Sequence, residues 1–341
     1  MPNKYLPNRP SATGRPPQRE TLLFDPDGWR VIDHIELRLG ERKISGELTP
    51  LTFIVGSGKS VFINSIYLVL SNIGSKIPKI YYNKFNISIK INNKIFSLQK
   101  NGKIYRQILD EGGRKVAIEY GALDGSRISR IVEPFELAIK NADILMPQID
   151  VAEHVSILAD EEIEEVNRLI GEFRKAFSLK VTSLGPYIDP KTFHDPTKAA
   201  GSLKPDGSNL VGVLARLALE NPDAYDRLRT SFRKKGVKLA VGLAKRGVLA
   251  GVTHVGGAKM PISRLPCSLK TALVFAAAVA TKPDLLLIEN FDCCLNEGLV
   301  DILTSYFNEQ ISRGQIVVEI HRPDVADLFK IQYKSIVSVA L

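Results

Sequence analysis

The most constraining stretch of the chain is residues 51–74, LTFIVGSGKSVFINSIYLVLSNIG. LTFIV is a short continuous apolar run, the pattern of a strand buried on both faces. It passes into Gly56-Ser57-Gly58-Lys59-Ser60, and VFINSIYLVLSNIG then has the length and apolar spacing of a buried helix ending at Gly74. A buried strand, a glycine-containing turn and a helix in succession bring backbone N–H groups and the positive end of a helix dipole to one point. That combination suits anionic oxygens.

Gly58-Lys59-Ser60 is the end of a Walker A motif, in which the lysine reaches the β- and γ-phosphates and the serine hydroxyl ligates Mg²⁺. Gly56, Ser57, Gly58, Lys59 and Ser60 are therefore the candidate nucleotide-binding residues, with Ser60 the candidate metal ligand. The spacing departs from the full motif, which places a glycine five residues before Gly58, where this chain has Phe53. The loop is about three residues short. Fewer N–H groups can converge on a β-phosphate unless the preceding strand unravels to lengthen the turn.

Other segments alternate in type. WRVIDHIELRLG (29–40) reads as a half-buried strand, and 79–109 as antiparallel strands with turns at Asn92-Asn93 and Asn101-Gly102. Residues 150–177 read as a helix whose first part, 150–165, holds seven acids and no base, a distribution that the helix dipole favours. Residues 180–209, with four prolines, read as loop, and 210–246 as mostly helical. After these come a helix at 270–280, a buried strand DLLLI at 284–288, a helix at 297–311, a buried strand at 315–320 and a helical turn at 324–329. Strand–helix alternation of this kind predicts a mostly parallel sheet.

The chain has 341 residues and a formal charge of +9, which permits an anionic partner without requiring one. Eight basic residues and no acid lie between Lys76 and Arg106, and eight more between 227 and 246. Each stretch reads either as a DNA-binding face or as a solvated surface, in the first case with lysines that discourage edge pairing. Residues 1–24, with five prolines, four bases and one acid, read as a disordered tail without the apolar core of a secretory signal. No apolar run approaches the roughly 18 residues of a membrane span, so a cytoplasmic protein without a membrane partner is expected. The three cysteines, Cys267, Cys293 and Cys294, read as small buried residues in a reducing compartment, because adjacent cysteines bridge each other poorly.

Four stretches in order, LTFIVGSGKSVFINSIYLVL, PDGSNLVGVLARLALENPDAYDRL (205–228), KPDLLLIENFDCCLN (282–296) and QIVVEIHRPDVADLF (315–329), resemble the ABC-type ATPase heads of the SMC-like and RecF-like group, particularly stand-alone prokaryotic AAA-like ATPases. The resemblance implies an α/β P-loop NTPase fold, ABC/SMC-head-like, with a mostly parallel core sheet flanked by helices and an antiparallel β subdomain. It implies an N-terminal lobe over 25–149, an acidic helical insertion over 150–179 and a C-terminal lobe over 180–341. It also implies ATP and Mg²⁺ as cofactors, a homodimer formed on nucleotide binding, and a separately encoded effector protein.

Residue by residue, the resemblance puts Glu289 at the Walker B carboxylate that holds Mg²⁺ and Asn290 at the general-base position, where an amide cannot accept a proton from water. Asp292 is a candidate substitute. Ser268 falls at the signature segment, which lacks its glycine, and also reads as a helix N-cap. His321 falls at the γ-phosphate sensor. Gln148, Gln99 and Gln107 compete for the lid-loop position. Two readings follow: a slow ATPase that switches between a nucleotide-bound dimer and an open state, or a degenerate head serving as a non-hydrolysing regulatory or nucleic-acid-binding module.

Overall fold

The computed structural model describes residues 32–71, 84–123, 126–133, 137–138, 164, 168, 179–198 and 202–340. The expected tail at 1–24 and Gln148 lie outside these residues, as does the expected acidic helix apart from Glu164 and Arg168, both helical.

The described residues open with a hairpin of β1 (His34–Leu39) and β2 (Arg42–Glu47). The LTFIV run forms β3 (Leu51–Gly56), and α1 (Lys59–Ser71) follows after only Ser57 and Gly58. A meander comes next: β4 (Lys84–Ile91), β5 (Lys94–Asn101), β6 (Ile104–Glu111), β7 (Arg114–Leu123), β8 (Ser126–Glu133) and the short β9 (Leu137–Ala138). Asn92, at φ +54°, and Gly102, at φ +62°, supply the left-handed residues of the first two turns, as the sequence predicts. The eight strands form one antiparallel sheet in the order β2-β1-β4-β5-β6-β7-β8-β9.

The second half begins with β10 (Val181–Leu184) and β11 (Phe193–His194), then α2 (Leu210–Glu220) and α3 (Pro222–Lys234). Asn221 caps α3 by accepting the Ala224 N–H, with Pro222 at the first helical position. A small sheet follows, of β12 (Val237–Leu243), β13 (Leu249–Val255) and β14 (Ala258–Pro261), with β11 on the other side of β13. Then come α4 (Cys267–Ala280), β15 (Leu285–Ile288), a 3₁₀ turn at Phe291–Cys294, α5 (Val300–Ile311), β16 (Gln315–Glu319), α6 (Val325–Leu328) and β17 (Lys334–Val339).

The central sheet is wholly parallel, in the order β10-β15-β16-β3-β17. Its inner strands β15, β16 and β3 are short, mostly apolar runs because both faces are covered. Leu51, Phe53 and Val55 of β3, Leu286 and Ile288 of β15, and Ile316 and Val318 of β16 enter one core with α2 to α6. Ile54, Leu285, Leu287 and Val317 enter a second core with Phe62, Ile63 and Ile66 of α1 and the inner face of the antiparallel sheet. The alternation within each strand therefore sorts residues between two apolar layers, not between core and water. α4 lies within the first core, with every residue from Ala272 to Ala280 buried. Beside it Phe275, Phe291 and Phe307 pack with ring centroids 4.8–5.9 Å apart, which holds the turn after β15 against the core.

Several sequence expectations are corrected. Part of 180–209 is not loop: Val181–Leu184 is an edge strand of the parallel sheet, hidden in the sequence because Thr182 and Ser183 are polar although buried. The helical reading of 210–246 stops at Lys234, because Gly236, at φ +77°, ends the helix and an alternating strand follows. The antiparallel sheet continues past 109 through β7 and β8.

The cysteines are not small buried residues. Cys267 and Cys293 are exposed, and Cys267 is bridged to Cys294 with the Cα atoms 5.7 Å apart. The adjacent pair does not bridge itself; Cys294 instead meets a residue that the fold brings alongside. Both basic stretches carry counter-charges. Lys94 lies 3.5 Å from Glu111 and Arg106 lies 2.7 Å from Glu133, while Arg227, Arg229 and Lys235 meet Glu309, Asp226 and Asp301. No helix of the described residues is long and apolar enough to cross a membrane.

Candidate functional site

The carboxyl ends of β3, β15 and β16 lie side by side in the parallel sheet. The helix leaving β3 packs into one core, whereas the helices leaving β15 and β16 pack into the other. A crevice at such a switch point is where open α/β sheets bind ligands.

The turn between β3 and α1 stays short. Gly56, at φ +102°, remains paired in register with Val339 of β17, and a Cβ there would sit 2.0 Å from the Val339 carbonyl oxygen. The strand has not unravelled to lengthen the loop. Gly58, at φ +81°, makes the second sharp change of direction, and its carbonyl accepts the Phe62 N–H at 3.0 Å to open the helix.

Lys59 and Ser60 both turn toward one carboxylate that sequence reasoning missed. Glu319, the last residue of β16, is 2% exposed. Ser60 Oγ donates to its two carboxylate oxygens at 3.0 and 3.2 Å, and Lys59 Nζ lies 3.8 Å from it while donating to the Gly56 carbonyl at 3.0 Å. A buried carboxylate is tolerable only with such partners. The one signal available in the sequence is an acid inside the apolar run QIVVEI, just before His321.

Glu289 follows β15 directly, and its backbone N–H donates to the Leu184 carbonyl at 2.9 Å. Burial, together with the negative charge of Glu319, raises its pKa from 4.5 to about 7, against a lowering hydrogen bond from the Asn64 side chain. Asn64 stands one turn beyond Ser60 on α1, so the same helix serves both carboxylates. Asn290 adopts a left-handed conformation, φ +50° and ψ +40°, and turns the chain into the 3₁₀ segment.

Asp292 ties the turn after β15 to the turn after β16. Its Oδ2 accepts the backbone N–H groups of His321 at 2.8 Å and Arg322 at 2.9 Å, and its Oδ1 lies 3.1 Å from His321 Nδ1. The Asp292 side chain is 3% exposed and the His321 ring 48%. Asp292 thus orients His321, which lies just beyond the carboxyl end of β16. The Cys267–Cys294 bridge fastens the start of α4 to this same 3₁₀ turn. Ser268 is not an N-cap: α4 begins one residue earlier, at Cys267. Of the glutamines considered, Gln107 is buried in β6, and Gln99 is half-buried in β5.

The carboxylates of Glu289, Asp292 and Glu319 against one lysine give the crevice the electrostatics of a cation site. The Ser60 hydroxyl with Glu319 and Glu289 is an all-oxygen donor set, which fits Mg²⁺. Lys59 fits a phosphate at the start of α1, but only when Glu319 has another counter-charge.

No family model matches the chain, and no curated protein matches it. Along 91% of its length the chain is similar to solved SMC heads. One is an SMC head bound to the C-winged helix domain of ScpA, at 14% identity and TM-score 0.47, with 94% of that chain covered. Another is the SMC head domain from Thermotoga maritima, at 11% identity and TM-score 0.39, with 94% covered. A third is the Smc head with an extended coiled coil bound to the C-terminal domain of ScpA, derived from Pyrococcus furiosus, at 13% identity and TM-score 0.43, with 93% covered.

Proposed function

We propose that the chain is an ATP-binding head of the SMC-like type whose grip on nucleotide depends on Mg²⁺ and whose turnover is slow. One observation carries this reading: Lys59 and Ser60, at the start of the helix that follows β3, converge on Glu319 at the end of the adjacent parallel strand, with the Glu289 carboxyl at the end of the next.

Mg²⁺, when bound, supplies charge neutralisation between the carboxylates and the phosphates. Ser60, Glu319 and Glu289 hold it. Lys59, relieved of Glu319, meets the β- and γ-phosphate oxygens together with the N–H groups at the start of α1. With a turn of only two residues, those N–H groups are few, and the affinity rests on Lys59 and the cation. Asp292 orients His321 toward the γ-phosphate position. Asn290 aligns water but cannot take its proton, and loss of a general base typically costs about 10²–10⁴-fold in rate. Closure of two copies would bring Ser268 of a second copy to the nucleotide, which makes the bound triphosphate a dimer contact.

The regulatory alternative is favoured by the pairing of Gly56 with Val339, which leaves the shortened turn no slack. The two readings share nucleotide binding and differ in turnover. Turnover, followed by phosphate release, separates them, and the shared claim of nucleotide binding is tested by thermal melting with ATP and Mg²⁺. The wild-type melting temperature rises, because a ligand that binds the native state stabilises it by RT ln(1 + [L]/Kd). Lys59→Ala abolishes the rise. Absence of any rise at millimolar ATP with Mg²⁺ defeats both readings.

A further inference from the structure

A second group of side chains with metal-ligand chemistry lies where the turns after β15 and β16 meet, apart from the all-oxygen set of Ser60, Glu289 and Glu319. Ligand atoms of Asp292, Cys293 and His321 all lie within 4.8 Å of one another. Cys293 Sγ is 3.7 Å from His321 Nδ1, and Asp292 Oδ1 is 3.1 Å from the same nitrogen. A tetrahedral zinc ion with Zn–S of about 2.3 Å and Zn–N and Zn–O of about 2.0–2.1 Å separates sulfur from nitrogen by roughly 3.6 Å and nitrogen from oxygen by roughly 3.3 Å. The sulfur-to-nitrogen and nitrogen-to-oxygen pairs therefore already stand near the edge lengths of such a site, and sulfur and oxygen lie within 4.8 Å of each other.

We propose that Asp292, Cys293 and His321 bind a divalent transition-metal ion of the zinc class, through one carboxylate oxygen, one thiolate and one imidazole nitrogen, with a fourth position open to solvent. The mixed O, S, N set selects a borderline metal over Mg²⁺ or Ca²⁺, which favour oxygen alone. The outer shell is in place. Asp292 Oδ2 is held by two backbone N–H groups, which leaves Oδ1 as the ligand atom. Cys293 sits in a 3₁₀ turn anchored on one side by buried Phe291 and on the other by the Cys267–Cys294 bridge. The negative charges of Asp292 and Glu319 act on this thiol, and that field attracts a cation.

The proton balance is simple. Without metal, the imidazole N–H at Nδ1 donates to Asp292 Oδ1. On binding, the thiol proton leaves to solvent and the imidazole proton moves to Nε2, so Nδ1 can ligate and one proton is released per ion. The ion would fasten the turn after β15 to the turn after β16 and fix the histidine that the proposed function assigns to sensing phosphate. The site itself does not depend on that function.

The test is Co²⁺ titration of the full chain without reductant, followed by optical absorption, then displacement by Zn²⁺. Two of the three cysteines are bridged, so Cys293 is the one free thiol and any sulfur-to-cobalt charge-transfer band must come from it. The expected result is such a band saturating at one equivalent per chain, with tetrahedral ligand-field bands, removed by one equivalent of Zn²⁺. Cys293→Ser abolishes the band, and His321→Ala weakens binding by at least about 100-fold, the upper end of the loss seen on removing an outer-shell partner. Both side chains are exposed, so the variants keep the fold. Absence of the band in wild type, its survival in Cys293→Ser, or unchanged affinity in His321→Ala overturns the proposal.

Discussion

Replacing Glu289 by glutamine separates the cost of its buried charge from its packing. The glutamine keeps the volume and can keep the contact with Asn64, but it cannot ionise. In the folded chain the Glu289 pKa is raised from 4.5 to about 7 by burial and by Glu319. A raised carboxyl pKa means that the native state holds its proton more tightly than the unfolded chain does. Stability from this group is therefore fully present below about pH 4.5, declines as pH rises, and is lost above about pH 7. For a fully buried group the shift would correspond to about 3 kcal/mol, and the water still reaching this carboxyl reduces it to about 1–2 kcal/mol. Glu289→Gln should thus be more stable than wild type by about 1–2 kcal/mol at pH 8 and equal to it near pH 4.5. Urea unfolding followed by circular dichroism at the two pH values, without divalent cations, measures the difference. Adding Mg²⁺ at pH 8 should raise wild type more than the variant, because the cation takes over the charge that burial penalises. A gain equal at both pH values, or none at pH 8, would refute the electrostatic account of the crevice.

The other predictions concern neighbouring groups. Glu319→Ala leaves the Ser60 hydroxyl without its carboxylate acceptor and the largely buried Lys59 without its ion-pair partner, and should cost about 2–3 kcal/mol in urea unfolding; it should also move the Glu289 pKa back toward 4.5, since the Glu319 charge is one of the causes that raise it. Asn290→Glu restores a base beside the Glu289 carboxyl and should speed ATP turnover in a phosphate-release assay; wild-type turnover already at several per second would contradict the slow-head reading. Reducing the Cys267–Cys294 bridge, which spans 27 positions, should lower stability by about 3.5 kcal/mol in the chain-entropy picture, seen as a lower urea midpoint with reductant and no change in a Cys294→Ser control.

Much of the fold can be read locally. The LTFIV strand, the helix after Lys59, the hairpins at Asn92 and Gly102 and the apolar run Ala272–Ala280 of α4 each follow from residues adjacent in sequence. Where local reading fails, the missing information is a neighbour. Val181–Leu184 carries no strand pattern until β15 pairs with it, and Cys267 carries no sign of its bridge until the start of α4 meets the turn at Cys294. The site divides in the same way. Lys59 and Ser60 can be selected from their motif, and Glu289 and His321 through the family resemblance, whereas Glu319 cannot: its partner Ser60 lies 259 positions away.

The sequence by itself determined where strands are short and apolar, where glycine permits a sharp turn into a helix, and which polar residues end those strands, because backbone conformation and burial pattern are set over a few residues. Only the tertiary structure decided that β3 lies between β16 and β17, that Lys59 and Ser60 face a buried glutamate, and that Asp292 holds His321. The order of strands in a parallel sheet depends on long crossover connections that local pattern does not encode, and the charge balance of the crevice depends on that order.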